Sequence, residues 1–331
     1  MIDRGFEIAG RGVGRGAALV GSAWRLPGQV LASGGTRRDA DVGRLGTLPF
    51  DEARHLPAAD GGHLFTTAHG HGPTFLFVHG FATTSRVWTK QFRDLPRAGI
   101  RTVAFDHRGH GASTAPMGDV SIDNLADDIR VVVEGLDLRD AVVVGHSMGG
   151  MALLAFAVRY PEVAAARLRG LVLVSTAARL GLAQIPLLGR ALTPFTAGFV
   201  RSGAWSRSDW SRWTARLLFG KDPYPSQVDL VRALLASARE ETVVGCAAAL
   251  TSFDLTGQLG RMALPTLVVN GTADLFTTPG DARRLVRAIP DARLELLPGA
   301  GHMLMLEQAE RLGALLCGFA RERGVAVGLA A

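Results

Sequence analysis

With 331 residues, 47% of them hydrophobic and 20% charged, the chain has apolar mass for one large core and an inserted subdomain, which excludes a disordered protein. Its formal charge of +6 comes from 36 Lys and Arg against 30 Asp and Glu, and lysine occurs only at Lys90 and Lys221. The excess arginine is scattered rather than gathered into one run, which argues against a nucleic-acid partner.

Residues 1–60 are rich in Gly, Arg and Ala and read as an N-terminal arm on the core. Asp3 and Glu7 spoil a basic leader, and Arg25 and Pro27 interrupt a short helical pattern. No apolar run approaches the ~18 residues that a bilayer span needs. The expectation is a cytoplasmic protein, with weak peripheral membrane contact through the arm as a lesser alternative. Gly12 to Ala17 match a relaxed dinucleotide fingerprint, but the polar, glycine-rich stretch after them supplies no second parallel strand.

The core pattern starts with the apolar run Thr74 to Val78, which ends in His79-Gly80-Phe81-Ala82. Thr102 to Phe105 then enters a glycine-punctuated loop, Asp106 to Ser113, read as structural. The β-branched run Ala141 to Val144 leads into Gly145-His146-Ser147-Met148-Gly149-Gly150, followed by an apolar segment, Met151 to Tyr160. This reads strand, tight turn, helix, and a serine between two glycines in such a turn is lifted clear of the sheet as an exposed nucleophile. The plainer alternative is a serine capping a helix.

A serine hydroxyl is a weak nucleophile at neutral pH, so it needs a histidine base and a carboxylate to orient that base. Thr266 to Asn270 runs into Gly271-Thr272-Ala273-Asp274, and Leu294 to Leu297 runs into Pro298-Gly299-Ala300-Gly301-His302. Asp274 and His302 both sit just past a predicted strand, the sheet edge where ligands bind in parallel α/β folds. The developing oxyanion needs two backbone donors. Met148 N–H, after the nucleophile, and Phe81 N–H, after the first core strand, are the candidates.

Between Leu171–Ser175 and Thr266 the strand–helix alternation stops, and residues 178–262 read as a helical cap inserted at this edge. The core is then 61–177 with 263–325. Trp210 and Trp213 share one helix face, with Trp205 nearby. They read first as packing the cap onto the core and second as lining a substrate pocket. Cys246 and Cys317 read as free, buried thiols, and no histidines pair at zinc spacing, so neither metal nor organic cofactor is expected. His79 and His110 read as structural, and His146 as packed beneath the turn.

With these segments assembled, the chain resembles the α/β-hydrolase superfamily from about Leu64 to Phe319, in the branch of esterases, lipases, cofactor-free haloperoxidases and carbon–carbon bond hydrolases. The resemblance rests on H-G-F-A at 79–82, D-H-R-G-H-G-A-S at 106–113, G-H-S-M-G-G at 145–150, G-T-A-D at 271–274 and G-A-G-H at 299–302. It implies a doubly wound, mostly parallel sheet, a Ser147–His302–Asp274 triad and a cap that shapes the pocket. Ser147 stands where the family's epoxide hydrolases and haloalkane dehalogenases carry aspartate, which disfavours those activities. The expected activity is hydrolysis of a carboxylic ester with a small to medium apolar acyl group. Two alternatives stand beside it: carbon–carbon cleavage of a dioxo acid, with Arg179, Arg190, Arg201 or Arg216 holding its carboxylate, and a non-enzymatic small-ligand sensor.

Overall fold

The computed structural model describes residues 39–116, 120–180 and 209–327 and, for 209–211, the backbone alone. One eight-stranded sheet organises them, in the spatial order β1-β2-β4-β3-β5-β6-β7-β8. The strands are β1 (Glu52–Pro57), β2 (His63–His69), β3 (Thr74–Val78), β4 (Arg101–Phe105), β5 (Ala141–His146), β6 (Leu168–Val174), β7 (Thr266–Gly271) and β8 (Ala292–Leu297). β2 pairs antiparallel with β1 and β4, and every other neighbouring pair is parallel.

Helices α1 (Thr89–Asp94), α2 (Ile122–Gly135), α3 (Met148–Arg159) and α4 (Pro161–Arg167) fall between strands of the first half. Between β6 and β7 lie α5 (Asp209–Leu217), α6 (Pro225–Ser237) and α7 (Glu240–Ser252). α8 (Pro279–Ala288) joins β7 to β8, and α9 (Leu304–Glu307) and α10 (Ala309–Glu322) follow.

A central parallel strand is covered on both faces, so it reads as a continuous apolar run, and every residue of β5 is buried. Alternate side chains supply the two core layers. Leu76, Val78 and Val143 pack with Ile129 of α2 and Phe156 of α3. Phe75, Phe77, Val142 and Val144 face the other way, toward Trp88, Phe92 and Phe319. Capping boxes at Ser121/Asn124 and Thr278/Asp281 fix where α2 and α8 begin.

Part of the segment read as an arm belongs to the folded core. Glu52–Pro57 pairs along its whole length with β2 as the sheet's edge strand. Its first four residues are exposed, so it carries no apolar signature. Leu45 and Leu48 are buried, and the Asp39 carboxylate, 4% exposed, accepts from Lys90 Nζ at 2.9 Å and Gln227 Nε2 at 2.8 Å. Burial works to raise the Asp39 pKa, but these donors and the Asp41 N–H outweigh it and hold the carboxyl below its usual range. Residues 1–38, with the dinucleotide and membrane-contact readings placed on them, lie outside the described residues.

Between β6 and β7, among the described residues, 209–252 contain three helices and no strand. The two ends of the segment between these strands meet, Leu255 N–H donating to Ala178 O at 2.9 Å beside a bridge between Arg179 and Asp254.

Candidate active site

β5 ends at His146, and α3 starts at Met148, so Ser147 alone makes the turn. It does so at φ 53° and ψ −120°, a conformation that costs a side-chain-bearing residue on the order of 1–3 kcal/mol. The turn also presses α3 against the end of β3. A Cβ on Gly149 would lie 2.4 Å from His79 O and 2.6 Å from Val78 O, so no larger residue fits there. Ser147 does not cap α3 with its side chain. Its hydroxyl instead faces His302, Oγ lying 3.0 Å from Nε2.

The His302 ring is held from its far side. His302 Nδ1 lies 2.9 Å from Asp274 Oδ2, and Asp274 Oδ1 accepts from Phe276 N–H at 2.9 Å and Thr277 N–H at 3.1 Å. Thr277 Oγ1 donates to Oδ2 at 2.8 Å. Asp274 is 3% exposed. Burial pushes its pKa up, yet the charge and hydrogen bond of His302 together with the two N–H donors hold it below the ordinary carboxylate value. An ionised Asp274 fixes the proton on Nδ1 and leaves Nε2 as an acceptor for the Ser147 hydroxyl. The Ser147 hydroxyl thus faces a nitrogen able to accept its proton.

The two N–H groups expected to hold an oxyanion are those of Met148 and Phe81. Met148 N–H belongs to the first turn of α3, whose donors have no partners inside the helix. Among the described residues, neither it nor Phe81 N–H donates to any protein acceptor. The β3 loop that carries Phe81 approaches the nucleophile closely, a Cβ on Gly80 falling 3.1 Å from Ser147 Cβ.

Behind these groups sits a set of buried, neutral histidines. His79 Nδ1–H donates to Gly80 O at 2.9 Å, and its Nε2 accepts from His107 N–H at 3.0 Å. His110 Nδ1–H donates to Arg108 O at 2.8 Å. His146 Nε2–H donates to the backbone oxygen of His302 at 3.0 Å, so the residue under the turn also holds the base's main chain. Burial drives the His79 pKa down to about 4 and that of His110 to about 3, and holds His107 and His146 well below the usual value. The structural role expected for the Asp106–Ser113 loop matches its bonding: Asp106 accepts from Ser85 N–H and Ala112 N–H, and Arg108 pairs with buried Asp128 at 2.6 Å.

The expectations for the insertion divide. Trp213 is 56% exposed rather than packed between insertion and core. Trp205, Arg190, Arg201 and the side chain of Trp210 lie outside the described residues. Arg179 pairs with Asp254, and Arg216 donates to Phe219 O and Lys221 O. A cavity of about 340 Å³ lies beside the Phe81 loop, bounded by Ala82, Arg86, Asp106, Leu234 and Arg239, and none of Ser147, Asp274 and His302 forms its wall. Both cysteines are free and buried, the Cys246 thiol pushed up to about 12 by burial. Among the described residues, no helix is long and apolar enough to cross a membrane, and no group of three or more His, Cys, Asp or Glu is placed to hold a metal.

Sequence reasoning passed over Thr277, Glu307 and the bond from His146 to the base. Thr277 had a local signal, since an aspartate followed by a threonine three residues on is a common self-bonding turn.

Residues 73–309 match the model of the alpha/beta hydrolase fold. A non-heme chloroperoxidase of Kitasatospora aureofaciens is 30% identical over 266 residues, which cover 76% of this chain and 93% of that protein. A 3-oxoadipate enol-lactonase of Acinetobacter baylyi is 30% identical over 241 residues, 72% of this chain and 85% of that one. Among solved structures, a thermophilic esterase from Thermogutta terrifontis is similar with a TM-score of 0.70 at 27% identity, over 82% of this chain and 99% of its own. An esterase from Exiguobacterium antarcticum shares the fold with a TM-score of 0.73 at 23% identity, over 82% and 100%. With the sheet order and the strand–serine–helix turn already in place, a match spanning well over half of the chain makes this protein a member of the alpha/beta hydrolase family.

Proposed function

We propose that the protein is a serine hydrolase of carboxylic esters that works through an acyl-enzyme. The observation that carries this reading is the row from half-buried Ser147 Oγ through buried His302 to buried Asp274, with contacts of 3.0 and 2.9 Å. Ser147 Oγ attacks the acyl carbon while His302 Nε2 takes its proton, and the carbonyl oxygen, now anionic, accepts from Phe81 N–H and Met148 N–H. The tetrahedral intermediate collapses, the ester C–O bond breaks, and His302 returns the proton to the departing alkoxide. Water then repeats the sequence on the acyl-enzyme, releasing the acid and restoring Ser147. In this reading the insertion, 178–262, is a cap that borders the acyl pocket, with Trp213 at its wall.

Lactones and esters share this chemistry, and the enol-lactonase and esterase relatives support the reading. Carbon–carbon cleavage of a dioxo acid asks for a cation facing the substrate carboxylate. Arg179 and Arg216, two of the four candidates, are occupied by Asp254 and by backbone oxygens respectively, which favours a neutral substrate.

Asp274→Asn tests the role of the carboxylate. An asparagine can hold the imidazole in the wrong tautomer, so kcat for p-nitrophenyl butyrate should drop by about 10⁴-fold while the far-ultraviolet spectrum stays that of the parent. Activity within a few-fold of the parent would assign the orienting role to another acid. Turnover of a dioxo-dienoate acid far above every ester, or ligand binding without turnover on any of them, would replace the ester reading by one of its two alternatives.

A further inference from the structure

The main chain that carries His302 is bonded to the insertion rather than only to the sheet. His302 N–H and Met303 N–H both donate to Leu218 O, at 2.8 and 3.1 Å, one residue past the end of α5. Lys221 N–H donates to Gly299 O at 3.2 Å. The two backbones are in direct contact, since a Cβ on Gly220 would lie 1.9 Å from Gly299 O. Segment 218–221 therefore lies strapped along segment 299–303.

One side chain closes the strap. Glu307, at the end of α9, accepts from Gly220 N–H through Oε2 at 2.8 Å and from Gly301 N–H through Oε1 at 3.0 Å, with Oε2 at 3.2 Å. A carboxylate suits two converging donors because both its oxygens accept, whereas an amide must turn its NH₂ toward one of them. Burial pushes the Glu307 carboxyl up and the two N–H donors oppose it.

We infer that Glu307 is a positioning residue that latches the end of α5 to the His302 loop, so that the place of the base relative to Ser147 is set by the insertion. The inference rests on the ester-hydrolase reading and adds to it a route by which the insertion bears on the chemical step. A base displaced by a fraction of an ångström slows proton transfer without changing how substrate binds. α5 is also the helix that carries Trp213, so contacts made there reach His302 through Leu218 and Gly220.

The test compares the parent with Glu307→Gln and Glu307→Asp. For Glu307→Gln, kcat on a short neutral ester should fall on the order of 10- to 100-fold with KM held within about two-fold, because the loss is one of alignment. The rate at which a phosphonate modifies Ser147 should fall in parallel. The downfield Nδ1–H proton resonance of His302, assigned by its loss in His302→Asn, should shift or broaden. Glu307→Asp keeps the charge at shorter reach and should lie between, which also covers the case in which the glutamine variant does not fold.

A folded variant with parent kcat, parent labelling rate and an unmoved resonance overturns the latch, as does a lowered melting temperature with those three unchanged. A raised KM at constant kcat overturns it too, because that would make Glu307 a binding residue. If the phosphonate fails to label Ser147 in the parent, the ester-hydrolase reading falls, and the His302 resonance still decides whether Glu307 positions that loop.

Discussion

Replacing Ser147 by alanine should lower ester hydrolysis by about 10⁶-fold, because nucleophile, base and carboxylate act as one unit and the loss of the nucleophile removes nearly all of their joint effect. The residual rate should come from the Phe81 and Met148 N–H groups and from substrate binding. Among the described residues Ser147 Oγ hydrogen-bonds only with the His302 ring, and it does not cap α3, so its removal leaves the turn's backbone bonds in place. The variant should fold, bind a non-hydrolysable ester analogue with parent affinity, and resist an organophosphonate that modifies the parent at a single serine. Activity within tenfold of the parent, or phosphonate attached elsewhere, would sink the serine-hydrolase reading.

Acid should unfold this protein well before its carboxylates titrate. His79, His107, His110 and His146 are each 2% exposed or less, and burial lowers the pKa of every one of them. In the unfolded chain a histidine titrates near about 6.5. Below that pH the unfolded state binds protons that the native state refuses, so stability falls as pH falls, by about 1.4 kcal/mol per pH unit for each histidine that stays neutral. The stabilisation is fully present above about pH 6.5 and disappears on the way down toward the folded values, about 4 for His79 and about 3 for His110.

At pH 5 His79 and His110 alone withdraw on the order of 4 kcal/mol, with His107 and His146 acting in the same direction, against a typical total of about 5–15 kcal/mol. Asp274 adds to the slope only at lower pH, from about 3.9, where the unfolded carboxylate takes up a proton, down to its own depressed value. Urea unfolding between pH 8 and pH 5 should show a steep loss of stability beginning near pH 6.5. His107→Leu removes a ring whose two nitrogens have no hydrogen-bond partner among the described residues and should flatten that slope by one histidine's share. A stability curve level from pH 8 to 5 would mean that these rings are protonated or hydrated in the folded chain.

The sheet and the positions of Ser147, Asp274 and His302 were legible in the sequence because each of the three follows a β-branched or leucine-rich run that reads as a strand, and a glycine-bearing turn marks each strand end. β1 was not legible for the opposite physical reason. An edge strand with its first four residues exposed has no need of an apolar pattern, and its glutamate, arginine and histidine look like a loop. Glu307 escaped because its partner Gly220 is 87 residues away, and nothing local distinguishes a glutamate that clamps two backbone donors from one on a solvated helix face. His107 reads as one polar residue in Asp-His-Arg, and only the packing of Phe105 and His79 around it makes it a buried ring. Trp213 misled in the usual direction: a large aromatic side chain is expected to pack, and here it is more than half exposed.

The conformation of Ser147 sets two selective pressures against each other. At φ 53° and ψ −120° the backbone is where glycine goes freely and serine goes under strain. A lineage or a library screened only for resistance to heat has an incentive to accept Ser147→Gly, since the relief of that strain competes well with the added freedom of the unfolded glycine. Under the proposed ester hydrolysis, a strained serine at this turn would be kept for its turnover and at some expense of its persistence.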